Sequence, residues 1–332
     1  MTTPLQSANA PLAALLRAAA VSPLDSTGWV RVTGSDRLRW LNGMLTNHIQ
    51  QLTPGAGCYN FALNAQGQIQ ADLTAFVESD SILIETGSDQ IEKLLDHLNR
   101  FIIMDDVELA DITAERRGLL VAGPDASRLL AAIGLSCDPT EPLQLTHITW
   151  RAAAVDLIHA HSPLVPRFEL WADSATIAAL AADLFAAGAI AVSPVALDHL
   201  RILEGTPRFG TDITDRNLPQ ETGQTRALHF TKGCYLGQEI VERIHSRGGV
   251  HRAFSGFVLT GPLPTPGAVL EAEGKPVAEL TSVASIQLPD QPAPIQLALG
   301  IIRREALASA EVRTLTYPGG SAIPIALPYA VP

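Results

Sequence analysis

Lys232-Gly233-Cys234-Tyr235-Leu236-Gly237-Gln238-Glu239, continuing as Ile240-Val241-Glu242-Arg243, is the densest run of chemistry in the chain. It holds a thiol, a lysine and two glycines before the pattern turns helical. Glycine at 233 and 237 suits backbone that passes close to another group or takes a positive φ. Cys234 falls just before the expected helix start. Free N–H groups and the positive dipole end there favour a thiolate, as does Lys232. That makes Cys234 and Lys232 candidates for catalysis. The same thiol also fits a small buried hydrophobe, a common fate of free cysteine. Upstream, Leu228-His229-Phe230 has the pattern of a strand. Downstream, Arg243, His245, Arg247, His251 and Arg252 gather basic charge suited to carboxylates or phosphates. The same set also suits the C-terminal end of a helix.

Taken with Arg247-Gly248 and Arg252, the motif over 232–239 resembles the signature of the YgfZ family. These folate-binding proteins support iron–sulfur enzymes and are related to the glycine-cleavage T-protein, an aminomethyltransferase. The resemblance runs from about Trp29 to Arg252. It implies an α+β, T-protein-like three-domain ring: two α+β lobes with a folate pocket between them, and a small C-terminal β-barrel. Residues 1–250 then form the two intertwined lobes and 251–332 the barrel. Cys234 becomes the functional thiol, with Lys232 beside it. Gly233, Tyr235, Gly237, Gln238, Glu239, Arg247 and Arg252 become the motif positions that shape its surroundings.

Two earlier blocks extend the resemblance. Leu200-Arg201-Ile202-Leu203-Glu204-Gly205, with Gly210-Thr211-Asp212 after it, is similar to the T-protein segment that holds a pterin-contacting glutamate. The likeness gives that role to Glu204, since a carboxylate accepts two hydrogen bonds from ring N–H groups. By pattern alone Glu204 is a solvated charge near a helix end. The block from Tyr59-Asn60-Phe61 to Ala71-Asp72-Leu73 implies that Asn60 and Asp72 face the folate. T-proteins carry Gly-x-x-x-Asp-Asp-Leu here, so Ala71 replaces one of two acids, a departure that counts against a working aminomethyltransferase. Read as pattern, Asp72 is a polar residue on the outer face of a strand. Trp29 matches an aromatic that the family sets against folate, and core packing suits it equally. Val195-Ala196-Leu197-Asp198 lacks a second aromatic carried there by family members. Arg243 suits the carboxylates of a folate tail; an acidic partner surface or an RNA phosphate suits it as well.

The chain has 332 residues, long enough for two or three domains with a sizeable core. With 47% hydrophobic and 17% charged residues, it reads as globular rather than disordered. No apolar run reaches the ~18 residues of a membrane span. The Ala-rich start reads as a short helix over 11–20 rather than a targeting peptide, which suits a cytoplasmic protein. A net charge of −11 argues against direct nucleic-acid binding. Cys58, Cys137 and Cys234 are odd in number and far apart, which argues against a disulfide framework or a zinc site. They are also too few to hold an iron–sulfur cluster alone, so no permanently bound metal is expected. His159-Ala160-His161 places two rings on one strand face without a third ligand.

The expected ligand is therefore tetrahydrofolate or a folate derivative, and the expected partners are iron–sulfur client or assembly proteins. The function implied is a folate-binding accessory to cluster assembly or repair. A folate-dependent aminomethyltransferase and a factor acting on tRNA modification are the alternatives. Strands are expected at 29–34, 58–63, 68–77, 81–85, 104–112 and 118–121, with two more within 146–172. Helices are expected at 36–49, capped by Ser35, and from 88, 124, 174 and 193. A long polar loop follows over 206–224, and short strands fill 253–328.

Overall fold

A computed structural model describes residues 10–136, 142–308 and 314–331. Cys137 lies outside them. The chain begins with α1 (Ala10–Arg17) and β1 (Ala20–Pro23). Next come β2 (Thr27–Thr33), α2 (Arg37–Met44), β3 (Gly57–Leu63), β4 (Ile69–Val77), β5 (Ile82–Gly87), α3 (Ile91–Asn99) and β6 (Glu108–Asp111). A second group holds β7 (Arg117–Ala122), α4 (Ala126–Ala132), β8 (Gln144–Trp150), β9 (Ala153–Ala160) and β10 (Arg167–Ala172). It is completed by α5 (Ser174–Ala186), β11 (Ile190–Ala191) and α6 (Pro194–Glu204). A long connection leads to α7 (Gln238–Arg247) and β12 (Arg252–Thr260), β13 (Val269–Ala272), β14 (Lys275–Ile286) and β15 (Ile295–Arg303). The last elements are α8 (Arg304–Ala308), β16 (Leu315–Tyr317) and β17 (Gly320–Ile325).

These strands build three sheets. One is five-stranded, in the order β3-β4-β5-β2-β6. Another is six-stranded, β11-β1-β7-β10-β9-β8, and the third closes as the barrel β12-β15-β14-β13-β16-β17. The α+β class and the C-terminal barrel are as expected. The first two sheets interlock, because β1 leaves the N-terminus to pair antiparallel with β7 and parallel with β11.

Local sequence explains most elements. In β4, Ile69, Ala71 and Leu73 are buried while Gln70, Asp72 and Thr74 alternate with them; that period of two sets a polar face toward the second lobe. Along α3, Ile91, Leu94 and Leu98 fall at helical spacing and are buried. The Asp173 side chain accepts from the N–H groups of Ala175 and Thr176 at 2.9 and 3.0 Å and starts α5. Ser193 and Pro194 open α6, and Gly205, at φ 68°, ends it.

Several expected boundaries move. The helix over 36–49 stops at Met44, because Leu45 turns extended and bridges Ala62 of β3; Asp36, not Ser35, stands at its N-cap. Only Glu108–Asp111 of 104–112 pairs as a strand. Residues 146–172 hold parts of three strands instead of two. Leu228-His229-Phe230 is irregular; His229 N–H donates to Thr46 O at 3.2 Å, a single tie rather than a ladder. The first helix ends at Arg17 and gives way to β1.

The two lobes meet through a shared aromatic core. Trp171 of β10 sets its ring edge-on to Trp29 of β2 and to Phe76 of β4, with 5.6 Å between centroids in each case. Leu83 and Ile158 pack in the same cluster. Such contacts bury large apolar areas and fix the angle between the sheets.

Candidate functional site

Beside that aromatic core the sheets part and enclose a cavity of about 310 Å³. That volume is within the ~300–1,000 Å³ typical of small-molecule sites. β4 and β5 supply Asp72, Thr74 and Glu85. The other lobe supplies His161, Arg167 and Glu169, and the connection after α6 adds Arg208, Phe209 and Arg226.

Asp72 is the anchor of the first wall. Its carboxylate accepts from Tyr59 Oη at 2.7 Å and from Gln90 Nε2 at 2.9 Å. Burial pushes its pKa up, while those two hydrogen bonds and Arg226 pull the other way. Arg226 stacks its guanidinium over the Tyr59 ring, 4.1 Å from the centroid.

On the floor lie two glutamates from opposite lobes. Burial, and then the charge of Glu169, push Glu85 well above the ordinary carboxylate range. A hydrogen bond between the two carboxyls adds to that rise. Glu169 also accepts from Arg167 Nη2 at 2.8 Å and from Trp171 Nε1 at 3.2 Å. His161 borders the same cavity. Burial, with Arg226 and Arg167 nearby, lowers its pKa to about 4, so it is a neutral imidazole near pH 7.

Glu204, at the end of α6, is only 8% exposed. The Ser162 hydroxyl donates to its Oε1. Burial raises its pKa, opposed by Ser162 and by the same Arg167 and Arg226 that serve the cavity. Glu204 is therefore a buried acid joined to the pocket's cations, not the solvated charge that pattern alone suggests. Arg201, one turn earlier, donates to Asp198 Oδ1 at 2.9 Å and Asp212 Oδ2 at 2.6 Å. Asp212 Oδ1 accepts from Thr281 and Ser282 of β14 at 2.6 and 2.7 Å. This network ties α6, the connection and the barrel together.

The signature loop lies elsewhere. Lys232 is 6% exposed and turned inward. Its ammonium donates to the carbonyls of Asn42, Leu45 and Asn47 at 2.6, 2.7 and 2.5 Å. Burial lowers its pKa to about 8. The lysine expected beside the thiol thus anchors the loop to the end of α2. Cys234 is exposed, in the turn before α7. Cys58 is the contrasting thiol, pushed up to about 11 by burial.

Tyr235 is buried and lies under the Lys232 ammonium, 5.0 Å from it. Gln238 Oε1 accepts from Tyr235 N–H at 3.2 Å and Glu239 is exposed. Gly237 takes φ 82°, and a Cβ there would stand 2.6 Å from Asn64 O. Gly233 meets neither demand, since a Cβ there has open space; the expected constraint holds at 237 alone.

The remaining expected folate residues scatter. Trp29 is 1% exposed inside the interlobe core, so its faces are covered by protein and it does not line the cavity. Asn60 is fully buried and accepts from Asn47 N–H at 2.8 Å while donating to Cys58 O at 2.8 Å. Arg243 and Arg252 border a different cavity, beside the barrel, because α7 runs away from the interlobe pocket. Arg252 forks onto Glu221 at 3.1 and 3.2 Å, and Arg247 closes α7 at the surface. Sequence reasoning missed Glu85, His161, Arg167, Glu169 and Arg226 as pocket residues. Arg167-Phe168-Glu169 carried a usable signal: two opposite charges on one face of an otherwise apolar strand. Among the described residues no group of three His, Cys, Asp or Glu side chains gathers to hold a metal, and no helix is long and apolar enough to cross a membrane.

An interlobe pocket between two α+β lobes, followed by a closed barrel, defines an aminomethyltransferase-like architecture. Comparison with known proteins makes it specific: residues 5–232 match the GCVT N-terminal domain model, and the chain belongs to that family. It is 25% identical over 264 residues to a chloroplastic protein of Arabidopsis thaliana, covering 79% of this chain and 61% of that one. The chain thus spans about three fifths of that relative's length. The mitochondrial iron-sulfur cluster assembly factor IBA57 homolog of Yarrowia lipolytica is 25% identical over 73% of this chain and 56% of its own. The tRNA-modifying protein YgfZ of Escherichia coli is 29% identical over 75% of this chain and 74% of its own. In structure, the glycine cleavage system aminomethyltransferase T from Bartonella henselae superposes with a TM-score of 0.84. It shares 19% identity and covers 97% of this chain and 89% of that one, a likeness of fold.

Proposed function

We propose that this chain is a cytoplasmic, tetrahydrofolate-binding accessory protein that supports assembly or repair of iron–sulfur clusters in client enzymes, with Cys234 as its functional thiol. The observation that carries the reading is the separation of two features. A built polar pocket lies between the lobes, and an exposed thiol stands on a loop anchored by Lys232. The pocket's polar groups fit a folate: Asp72 offers an acceptor for amide and amino N–H groups, and Arg208 and Arg226 offer forks for carboxylates. Glu204 does not line the cavity but is buried against Ser162, coupled in charge to Arg167 and Arg226. Tyr59, Gln90 and Arg226 hold Asp72 in place. The name of the Yarrowia relative favours the iron–sulfur reading; that of the Escherichia coli relative speaks of tRNA modification, an effect that on this reading arises through client enzymes.

Calorimetry with tetrahydrofolate tests the pocket. Binding is expected to weaken about tenfold or more in Glu204→Ala and Asp72→Asn and to stay unchanged in Cys234→Ser. No binding by the wild-type chain would discard the folate assignment. Activity of an iron–sulfur enzyme in cells that depend on this chain tests the thiol; full support by Cys234→Ser would remove its role. Methylene-tetrahydrofolate formation from an aminomethyl-lipoyl carrier, if observed, would favour an aminomethyltransferase instead.

A further inference from the structure

We propose that the groove between α7 and the barrel docks an acidic, aliphatic peptide segment of a partner protein. Two adjoining cavities of about 760 and 420 Å³ share Arg252 and Arg303 as common wall. Arg243 and Arg304 line the first and Arg216 the second. Five guanidiniums thus follow one trench on a chain whose net charge is −11. Arg252 is forked by Glu221, and Arg303 stands 3.6 Å from Glu305. Among the described residues, Arg216, Arg243 and Arg304 have no carboxylate partner within 4.0 Å. Of the acids on the second cavity, Asp212 is already engaged by Arg201, Thr281 and Ser282, while Glu279 stands exposed on the wall.

The backbone makes room for this charge. Gly248 and Gly249 take φ 131° and 85°, and a Cβ at 249 would lie 2.4 Å from Arg304 Nη1. Between the cations the walls are aliphatic: Ile240, Ile244 and Val250 on one side, Val269, Val277 and Ile301 on the other. No Phe, Tyr or Trp lines either cavity. Single-stranded nucleic acid uses aromatic platforms for its bases, whereas carboxylates alternating with aliphatic side chains match arginines between apolar walls. The trench shares no lining residue with the interlobe cavity, so the inference stands apart from folate binding.

Fluorescence anisotropy with a fluorescein-labelled Asp-Glu-Leu repeat dodecapeptide, in ~0.15 M salt, decides the matter. Saturable binding is expected, weakened about tenfold or more in the Arg243→Glu/Arg304→Glu double variant and unchanged in Arg100→Glu, an exposed charge elsewhere. All three side chains are exposed, and Arg243→Gln alone should give a smaller loss in the same direction. A labelled oligouridine of equal length serves as the competing arm. The proposal is overturned by absent peptide saturation, by equal binding in the double variant, or by oligouridine binding as tightly as the peptide.

Discussion

Gly237 and Gly233 occupy one signature, yet the structure requires glycine only at the first. Gly237→Ala forces a positive φ and a clash with Asn64 O, and is expected to cost about 2 kcal/mol or more in urea unfolding. Gly233→Ala should stay within about 0.5 kcal/mol of wild type. His161 gives a pH signature. Its folded pKa is about 4, below its unfolded value near ~6.5. From the upper value down to the lower, the unfolded chain binds a proton that the folded chain refuses, so stability falls as pH falls across that window. The side chain is exposed at the mouth of the cavity, so screening limits the loss to about 1 kcal/mol. His161→Gln should flatten that limb in denaturation curves taken between pH 7 and ~4. At this scale Asp72 was picked out by the resemblance, while its spacing showed only that it lies on the polar face of β4. Glu85 and Glu169 stayed hidden because their meaning depends on a partner from another lobe.

Elements were legible where periodicity met a stop signal. α5 and α6 begin at capping residues, Asp173 and Ser193, and α6 ends at Gly205, so their limits follow from local chemistry. α2 defied its pattern: Leu38, Leu41, Leu45 and Ile49 keep helical spacing, but Leu45 leaves the helix to bridge β3. Three carbonyls from this stretch then receive the Lys232 ammonium, a demand that no local rule encodes. The elements are also riveted to one another. Asp212→Ala removes the acceptor shared by Arg201 of α6 and by Thr281 and Ser282 of β14, while Arg201 keeps Asp198 and its direct hydrogen bond to Ser282. A loss of about 1–3 kcal/mol is expected, seen as a lower urea midpoint. If the barrel melts first and the lobes later, the rivet is the joint that has failed.

For the whole molecule, fold class and barrel followed from motif resemblance and from the change of pattern beyond Gly249. The interlobe packing did not, because Trp29, Phe76 and Trp171 come from distant parts of the chain and no spacing links them. That packing explains why Trp29, a reasonable candidate for stacking on a ligand, instead supports the floor beneath the site. The short strand β1 has a further consequence, for biosynthesis. Emerging early, Ala20–Pro23 finds its antiparallel neighbour only when Arg117–Ala122 has been made, and its parallel one only at Ile190–Ala191. Until then both of its edges are unzipped and adhesive. Nascent chains halted before residue 117 should therefore clump or recruit a chaperone on stalled ribosomes, whereas chains released beyond residue 205 should hold a protease-resistant double lobe. Deleting residues 20–23 should abolish that late protection while leaving the first lobe's own sheet intact.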